Sequence, residues 1–189
     1  MEIETKKIEW EELSTAIVNL IQAQNKIFGW YNDEELSKTP GRIYRFYKEW
    51  AKDNNFTFTT FPVTDRDQMI IYDNIPFFSM CSHHLLPFFG KVHIAYLPDQ
   101  TVGGASKFSR LVKQKASKPT TQEVLTAEIT DTLNEILQPR FIFVRAEARH
   151  LCQEMRGIRS VNETMKTSSL RFVDEVQNNI SHLKEEARQ

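Results

Sequence analysis

The residues best suited to metal chemistry are Cys81 and His84, separated by two residues, and the distant Cys152. A two-residue spacer lets one turn of the chain present a thiolate and an imidazole to the same ion, and zinc prefers these ligand types. Adding Cys152 gives three protein ligands and leaves a fourth position for water or substrate, which is typical of catalytic zinc. The spacing alone leaves a second interpretation open, in which the cysteines are buried apolar thiols and the histidine makes ordinary polar contacts.

Two further histidines, His83 and His150, stand beside these candidate ligands in the sequence. An imidazole titrates near about pH 6.5, so either ring can take up and release protons at neutral pH. A lone histidine on an apolar strand more often serves as a core residue that is hydrogen-bonded to the backbone. Because His150 precedes the candidate ligand Cys152 by two residues, we favour a catalytic role for it.

A basic segment runs from Lys107 to Lys118 without an acidic residue. Lys107 and Arg110 are three residues apart near the start of a predicted helix, where the helix dipole and free N–H groups favour phosphate oxygens. A solvated helix face is an equally open interpretation. Further cations suited to a polyphosphate, which needs several guanidinium or ammonium partners, are Arg42, Arg156 and Arg159.

The adjacent Gln122 and Glu123 stand near the start of another predicted helix. A carboxylate that accepts two N–H bonds suits the edge of a guanine base. From these residues alone, a solvated first helical turn is the simpler interpretation.

The composition excludes several classes of protein. Lys and Arg number 24 and Asp and Glu 25, so the net charge of −1 gives no global attraction to nucleic acid or to an anionic membrane. With six glycines, the chain contains neither the dinucleotide-binding nor the P-loop pattern. No stretch approaches about 18 consecutive apolar residues, and residues 1–10 lack the apolar region of a signal peptide. We therefore expect a cytoplasmic protein that binds neither nucleic acid nor membrane.

Hydrophobic periodicity predicts the elements that must position these residues. Apolar residues at helical spacing indicate a helix over residues 10–28 that ends at Gly29, and Thr39 and Pro40 are typical of the start of a second helix. Alternating residues predict strands over 91–96 and 141–150. We expect Ser106 and Pro119 to begin two more helices. The remaining predicted elements are short strands at 56–61, 68–72 and 170–173 and a terminal helix through Val176, Ile180 and Leu183.

The order of these elements is helices, strands, two helices, strands and a helix. This is not a regular alternation of strand and helix, so we predict the α+β class, with an antiparallel sheet and helices on one face. A length of 189 residues suits one main domain. We expect an N-terminal helical segment over 1–54 and a catalytic domain over 55–189.

Taken together, these segments resemble the GTP cyclohydrolase I family. The resemblance follows chain order from about residue 35 to residue 172, and several spaced motifs in order are more specific than any one of them. The segments that carry it are Thr39–Arg42, Phe77–His84, Gly90–Pro98, Ser106–Lys107 with Arg110, Gln122–Glu123, His150–Cys152 and Arg156–Arg159.

The resemblance implies a zinc site and a role for each candidate residue. Cys81, His84 and Cys152 would bind zinc, which activates water for attack on C8 of the guanine of GTP. His150 would protonate the opening imidazole ring, with His83 assisting. The residues implied to line the substrate are Gln122 and Glu123 at the guanine edge, Lys107, Arg110, Arg156 and Arg42 at the triphosphate, and Ser106 in the same pocket. The implied products are formate and 7,8-dihydroneopterin triphosphate.

The resemblance also implies a fold and an assembly. The family has the tunnelling fold, in which an antiparallel four-stranded sheet carries two helices on one face and follows a small helical segment. Its members form toroidal homodecamers with active sites at subunit interfaces, so a single chain would hold an incomplete site.

The sequence departs from the family pattern at Ser82, where an acidic residue is usual, and around Gly103 and Gly104. These departures leave two alternatives open. The first is a related hydrolase that acts on another guanine nucleotide or stops at a ring-opened intermediate. The second is an inactive oligomer that zinc stabilises.

Overall fold

The structure of the protein, a computed structural model, describes residues 2–51 and 56–172. The chain divides into two compact units, Met1–Lys52 and Asp53–Gln189. In the described part of the chain, no helix combines the length and the apolar character needed to cross a membrane. The helix predicted through Val176, Ile180 and Leu183 lies outside the described residues.

The described residues of the first unit form helices α1 (Glu2–Phe28) and α2 (Asp33–Trp50). Gly29 follows α1 with a φ of 63°, and its N–H donates to the Asn25 carbonyl. Glycine adopts this left-handed conformation without a steric penalty, so the predicted glycine at the end of the first helix is confirmed.

The second helix begins earlier than Thr39 and Pro40 predict. Asn32 caps it: the Asn32 side chain accepts from the Glu35 N–H, and the Glu35 carboxylate accepts from the Asn32 N–H. This reciprocal capping box satisfies the first free N–H groups of α2. The prediction of a start at Thr39 is therefore wrong, and Pro40 lies buried inside the helix.

The described part of the second unit contains a five-stranded sheet, a separate two-stranded sheet and helices. Its strands among the described residues are β1 (Thr60–Pro62), β2 (Ile70–Cys81), β3 (Pro87–Leu97), β4 (Thr101–Gly103), β5 (Pro119–Thr120), β6 (Phe141–His150) and β7 (Met165–Phe172). The main sheet has the order β5-β2-β3-β6-β7, and β1 pairs with β4 separately. Strands β2, β3, β6 and β7 are antiparallel, whereas β5 pairs in parallel with β2. This mixed α+β architecture agrees with the predicted class, and among the described residues the main sheet has five strands where the family resemblance implies four.

Helices α3 (Ala105–Ala116) and α4 (Gln122–Leu137) pack on one face of this sheet, and a short helix α5 (Leu151–Glu154) follows β6. Each fully buried aliphatic side chain between the helices and the sheet contributes about 1.5–3 kcal/mol. The core they form includes Val92, Ile94, Phe108, Leu111, Leu125, Ile129, Leu133, Val144 and Ala146.

Helices α3 and α4 start at residues other than the predicted Ser106 and Pro119. Gly104 is the N-cap of α3, and its carbonyl accepts from the Lys107 N–H, so Ser106 lies within the first turn. Thr121 caps α4, because its hydroxyl accepts from the Val124 N–H, while Pro119 belongs to β5. In each case the residue that satisfies the first N–H groups sets the start.

The register of β3 brings two strand ends to the same end of the sheet. Strand β3 pairs with β6 from Phe88 opposite His150 to Leu97 opposite Phe141. On its other side, β3 pairs Pro87 with Met80, one residue before the end of β2. Cys81 and His150 therefore end strands that flank the start of β3.

Gly90 allows this close approach of β3 and β6. A Cβ atom at this position would lie 1.9 Å from the Glu147 carbonyl oxygen and 2.7 Å from the Ala148 Cα. We expect Gly90→Ala to lower the free energy of unfolding by about 3 kcal/mol or more, because backbone must move. The measurement is a chemical denaturation curve.

The matched control is Gly41→Ala, inside α2. A Cβ there would lie 3.6 Å from Arg45 Nη1, an ordinary contact. Alanine is favoured over glycine in a helix by about 0.5–1 kcal/mol, so this variant should be as stable as the wild type or more stable. A wild-type denaturation curve for Gly90→Ala would contradict the described packing.

Candidate metal centre and active site

A tight turn between β2 and β3 carries the first candidate ligands. The Cys81 carbonyl accepts from the Leu85 N–H at 2.8 Å, and the Cys81 N–H donates to the Leu86 carbonyl at 2.9 Å. This turn folds the histidines back toward the thiol, so that Cys81 Sγ lies 3.7 Å from Nδ1 of both His83 and His84. The sequence spacing of Cys81 and His84 therefore brings both side chains to one point.

Cys152 reaches the same point from the other side of β3. It lies in α5, directly after the end of β6. The ligand atoms of Cys81, His84 and Cys152 all lie within 4.8 Å of one another. Burial and the neighbouring Cys81 thiol raise the pKa of Cys152, and the Arg156 charge acts in the opposite direction. Both cysteines are free thiols, and a metal would bind in exchange for their protons.

The donor set fits a zinc ion. Tetrahedral zinc, with Zn–S of about 2.3 Å and Zn–N of about 2.0–2.1 Å, separates a sulfur and a nitrogen ligand by about 3.6 Å. The distance between Cys81 Sγ and His84 Nδ1 is 3.7 Å. Two thiols and one imidazole are soft or borderline ligands, which favour zinc over magnesium or calcium. Three such ligands leave one coordination position for another group.

His150 lies beside this cluster in a fixed orientation. Its ring stacks on Phe88, with centroids 4.8 Å apart and planes at 4°. Its Nε2 lies 2.8 Å from Gln122 Oε1. Burial lowers the pKa of His150, although the Glu123 carboxylate opposes this change. The neutral imidazole is therefore favoured at neutral pH.

These side chains surround one cavity of about 350 Å³, a volume within the range of small-molecule sites. The predicted site residues that line it are Cys81, His83, His84, Gln122, Glu123, His150, Cys152 and Arg156. Arg156 contacts a candidate metal ligand, because its Nη1 lies 2.7 Å from His84 Nε2. The cavity thus combines soft ligands, imidazoles, a carboxylate and a guanidinium.

The side chain of Gln122 is buried and contacts other protein groups. The resemblance implies that its carboxamide reads the guanine edge, but its side chain is 0% exposed. The carboxamide contacts protein groups on β6 and β7 and the His150 ring. The carboxamide is therefore held by protein groups at the wall of the cavity, and its role at the guanine edge stays a prediction.

Three predicted residues lie at the opposite end of the sheet. Helix α3 starts two residues after Gly103, whose N–H donates to the Tyr96 hydroxyl at 3.2 Å. Tyr96 is eight residues along β3 from Phe88, which is opposite His150, and eight strand residues span about 27 Å. This length of strand separates the start of α3 from the cavity. The predicted site residues on the first turns of α3 are Ser106, Lys107 and Arg110. Arg42 is exposed on α2 in the first unit.

Sequence reasoning missed two supports of the site. Phe88 stacks on His150, and the strand register that brings them together is not readable from local patterns. Arg149 makes a bidentate pair with Glu154, at 2.7 Å and 2.6 Å, across the segment that holds Cys152. Arg149 thereby holds the pKa of the Glu154 carboxyl below its usual range. The sequence does place residues of opposite charge on the two sides of Cys152, and this pattern could have indicated the ion pair.

Comparisons with known proteins identify the family. A family model for GTP cyclohydrolase I matches residues 14–187. GTP cyclohydrolase 1 of Hydrogenobaculum sp. is 47% identical over 73% of this chain and 76% of that protein. GTP cyclohydrolase 1 of Wolinella succinogenes is 41% identical over 89% of this chain and 90% of that protein. The bifunctional protein FolKE of Lactococcus lactis subsp. cremoris is 42% identical over 72% of this chain and 41% of its own length. The chain belongs to the GTP cyclohydrolase I family.

Proposed function

We propose that the protein hydrolyses GTP and rearranges it to 7,8-dihydroneopterin triphosphate with release of formate, using zinc. The observation that carries this proposal is the single cavity that joins two thiols and an imidazole to a second imidazole, His150, and to a carboxylate, Glu123. Hydrolysis of a purine ring needs an activated water, a proton donor for the ring nitrogen and a group that holds the base. The cavity holds candidates for each.

The metal ligands in this proposal are Cys81, His84 and Cys152, and His83 and His150 move protons. Zinc, when bound, supplies the Lewis acidity that makes water a nucleophile at neutral pH. The lowered pKa of His150 favours its neutral ring, which can accept a proton and then donate it to the opening imidazole of the substrate. His83, whose Nδ1 is 3.7 Å from Cys81 Sγ, is close enough to assist.

Glu123 and Arg156 contact the substrate at two ends in this proposal. Glu123 is exposed at the first turn of α4, and a carboxylate there can accept two N–H bonds from a guanine. Arg156 lines the same cavity and can donate two parallel hydrogen bonds to phosphate oxygens.

We propose that a second copy of the chain completes the triphosphate site. The residues Ser106, Lys107 and Arg110 lie on the first turns of α3, which begins beside Tyr96, about 27 Å along β3 from Phe88 at the cavity end of the strand. A lysine or arginine side chain is too short to bridge that distance. The resemblance to a toroidal decamer of tunnelling-fold subunits supports this assembly, and on the same resemblance we retain Arg42 as a triphosphate contact.

The direct test incubates the purified, zinc-loaded protein with GTP. We expect equimolar formate and a product that fluoresces as a pterin after oxidation. A fully metallated protein that forms neither product would contradict the proposal. Formate without a pterin would instead indicate a hydrolase that stops at a ring-opened intermediate.

A pair of variants separates metal binding from proton transfer. Cys152→Ala should lower zinc affinity by at least about 100-fold, since it removes a ligand, and turnover should be lost with the metal. His150→Ala should keep its zinc and lose about 10²- to 10⁴-fold in kcat. Metal analysis and steady-state kinetics measure the two effects. Loss of zinc from His150→Ala would show that the ligand assignment is wrong.

A complementation experiment tests the shared site. Cys152→Ala and Arg110→Ala should each be inactive alone, because one lacks the metal half and the other the phosphate half of every site. Co-expressed in equal amounts, they should recover about a quarter of wild-type activity, the random fraction of sites with both halves intact.

Lys113→Ala is the matched control, because it removes an exposed cation from the last turn of the same helix. It should leave activity near the wild-type value. An inactive mixture of the two variants would show that Arg110 acts in the same chain as the metal site, and an active Arg110→Ala alone would show that Arg110 does not contribute.

A further inference from the structure

Gln122 is held by groups on two neighbouring strands, β6 and β7. Its Nε2 lies 3.0 Å from the Ala146 carbonyl on β6 and 3.1 Å from the Met165 carbonyl on β7. The hydroxyl of Thr167, on β7, is 3.2 Å away. The side chain is 0% exposed, so protein groups determine its orientation.

These contacts fix which end of the carboxamide faces each group. Backbone carbonyls can only accept hydrogen bonds, so the amide nitrogen must face Ala146 and Met165. The amide oxygen therefore faces His150, where Oε1 lies 2.8 Å from Nε2. An amide oxygen can only accept, which requires His150 Nε2 to donate. The proton of the neutral His150 ring is thus on Nε2, and the lone pair is on Nδ1.

We propose that Gln122 is a positioning residue that holds His150 as the Nε2–H tautomer and so leaves the lone pair on Nδ1. The Phe88 ring, stacked at 4.8 Å, restricts tilting of the imidazole, and the Gln122 oxygen restricts its rotation. The proposal rests on the proton-transfer role proposed above for His150. It gives Gln122 a role that requires no contact with guanine.

The physical importance of the tautomer follows from acid–base chemistry. A ring that presents N–H where a lone pair is needed cannot accept the proton. In a serine protease, loss of the carboxylate that fixes the histidine tautomer lowers kcat by about 10⁴-fold. A neutral amide acts through the same directional constraint with less electrostatic stabilisation, so we expect a smaller effect here.

The test replaces Gln122 by an apolar residue of similar length. In Gln122→Met, kcat should fall about 10²-fold, while KM for GTP and zinc stoichiometry stay within twofold of wild type, since in this proposal Gln122 acts through His150 and binds neither base nor metal. Histidine-labelled, zinc-loaded protein is also studied by solid-state ¹⁵N NMR at about pH 8.5, above the ordinary imidazole pKa of about 6.5. The His150 signal, identified by its loss in His150→Ala, should show protonated Nε2 in wild type and a tautomer mixture in Gln122→Met.

Thr167→Val is the matched control within the same buried group. It removes a hydroxyl that contacts both Gln122 Nε2 and Thr126 Oγ1, the latter at 2.6 Å, but keeps the two carbonyls and the bond to His150. This variant should be less stable than wild type, with kcat within twofold and the wild-type His150 tautomer. An equal loss of kcat in both variants would indicate a merely structural role.

Other outcomes overturn the proposal directly. An Nδ1–H tautomer in wild-type protein would do so, whether or not Gln122→Met folds. A raised KM with unchanged kcat in Gln122→Met would instead mean that Gln122 contacts guanine. A different result would contradict only the proposed function. In that case the zinc-loaded protein would not convert GTP, although His150 would still show an Nε2–H tautomer that depends on Gln122.

Discussion

The pairing of β3 with β2 and β6 is the constraint on which the site depends. Side chains alternate between the faces of a strand, so a slip of one residue between β3 and β6 would move His150 to the opposite face and bring Arg149 toward the cavity. The observed register, with Phe88 opposite His150, instead directs the imidazole to the face that carries α3 and α4. Gly90, which leaves room for the Glu147 carbonyl, lies within this pairing.

Two kinds of chemistry are separated along the sheet. Soft ligands and imidazoles lie where β2 and β6 end, whereas Lys107 and Arg110 lie on the first turns of α3 at the other end. The cavity of one chain offers Arg156 to a triphosphate, which needs several cationic partners. In the proposed assembly a second copy supplies Lys107 and Arg110. The separation is thus consistent with the proposed oligomer.

Local patterns predicted the elements more successfully than the contacts between them. The strand over 141–150 matches β6 (Phe141–His150), because strict alternation is a strong local signal. Residue type and spacing suggested the grouping of Cys81, His84 and Cys152 but left buried thiols as an alternative, and the family resemblance implied the full ligand set. The start of α2 was not, because Thr39 and Pro40 gave a competing signal to the capping box at Asn32. Pairing register depends on partners distant in sequence, so the stacking on Phe88 and the burial of Gln122 required the folded structure.

The central claim is that the ends of β2 and β6 gather Cys81, His84 and Cys152 to hold one catalytic zinc ion. X-ray absorption at the zinc edge of the loaded protein tests it most directly. The account predicts two sulfur scatterers at about 2.3 Å and nitrogen or oxygen scatterers at about 2.0–2.1 Å, with one zinc per chain. A spectrum with no sulfur scatterer, or a protein that does not retain zinc, would contradict it.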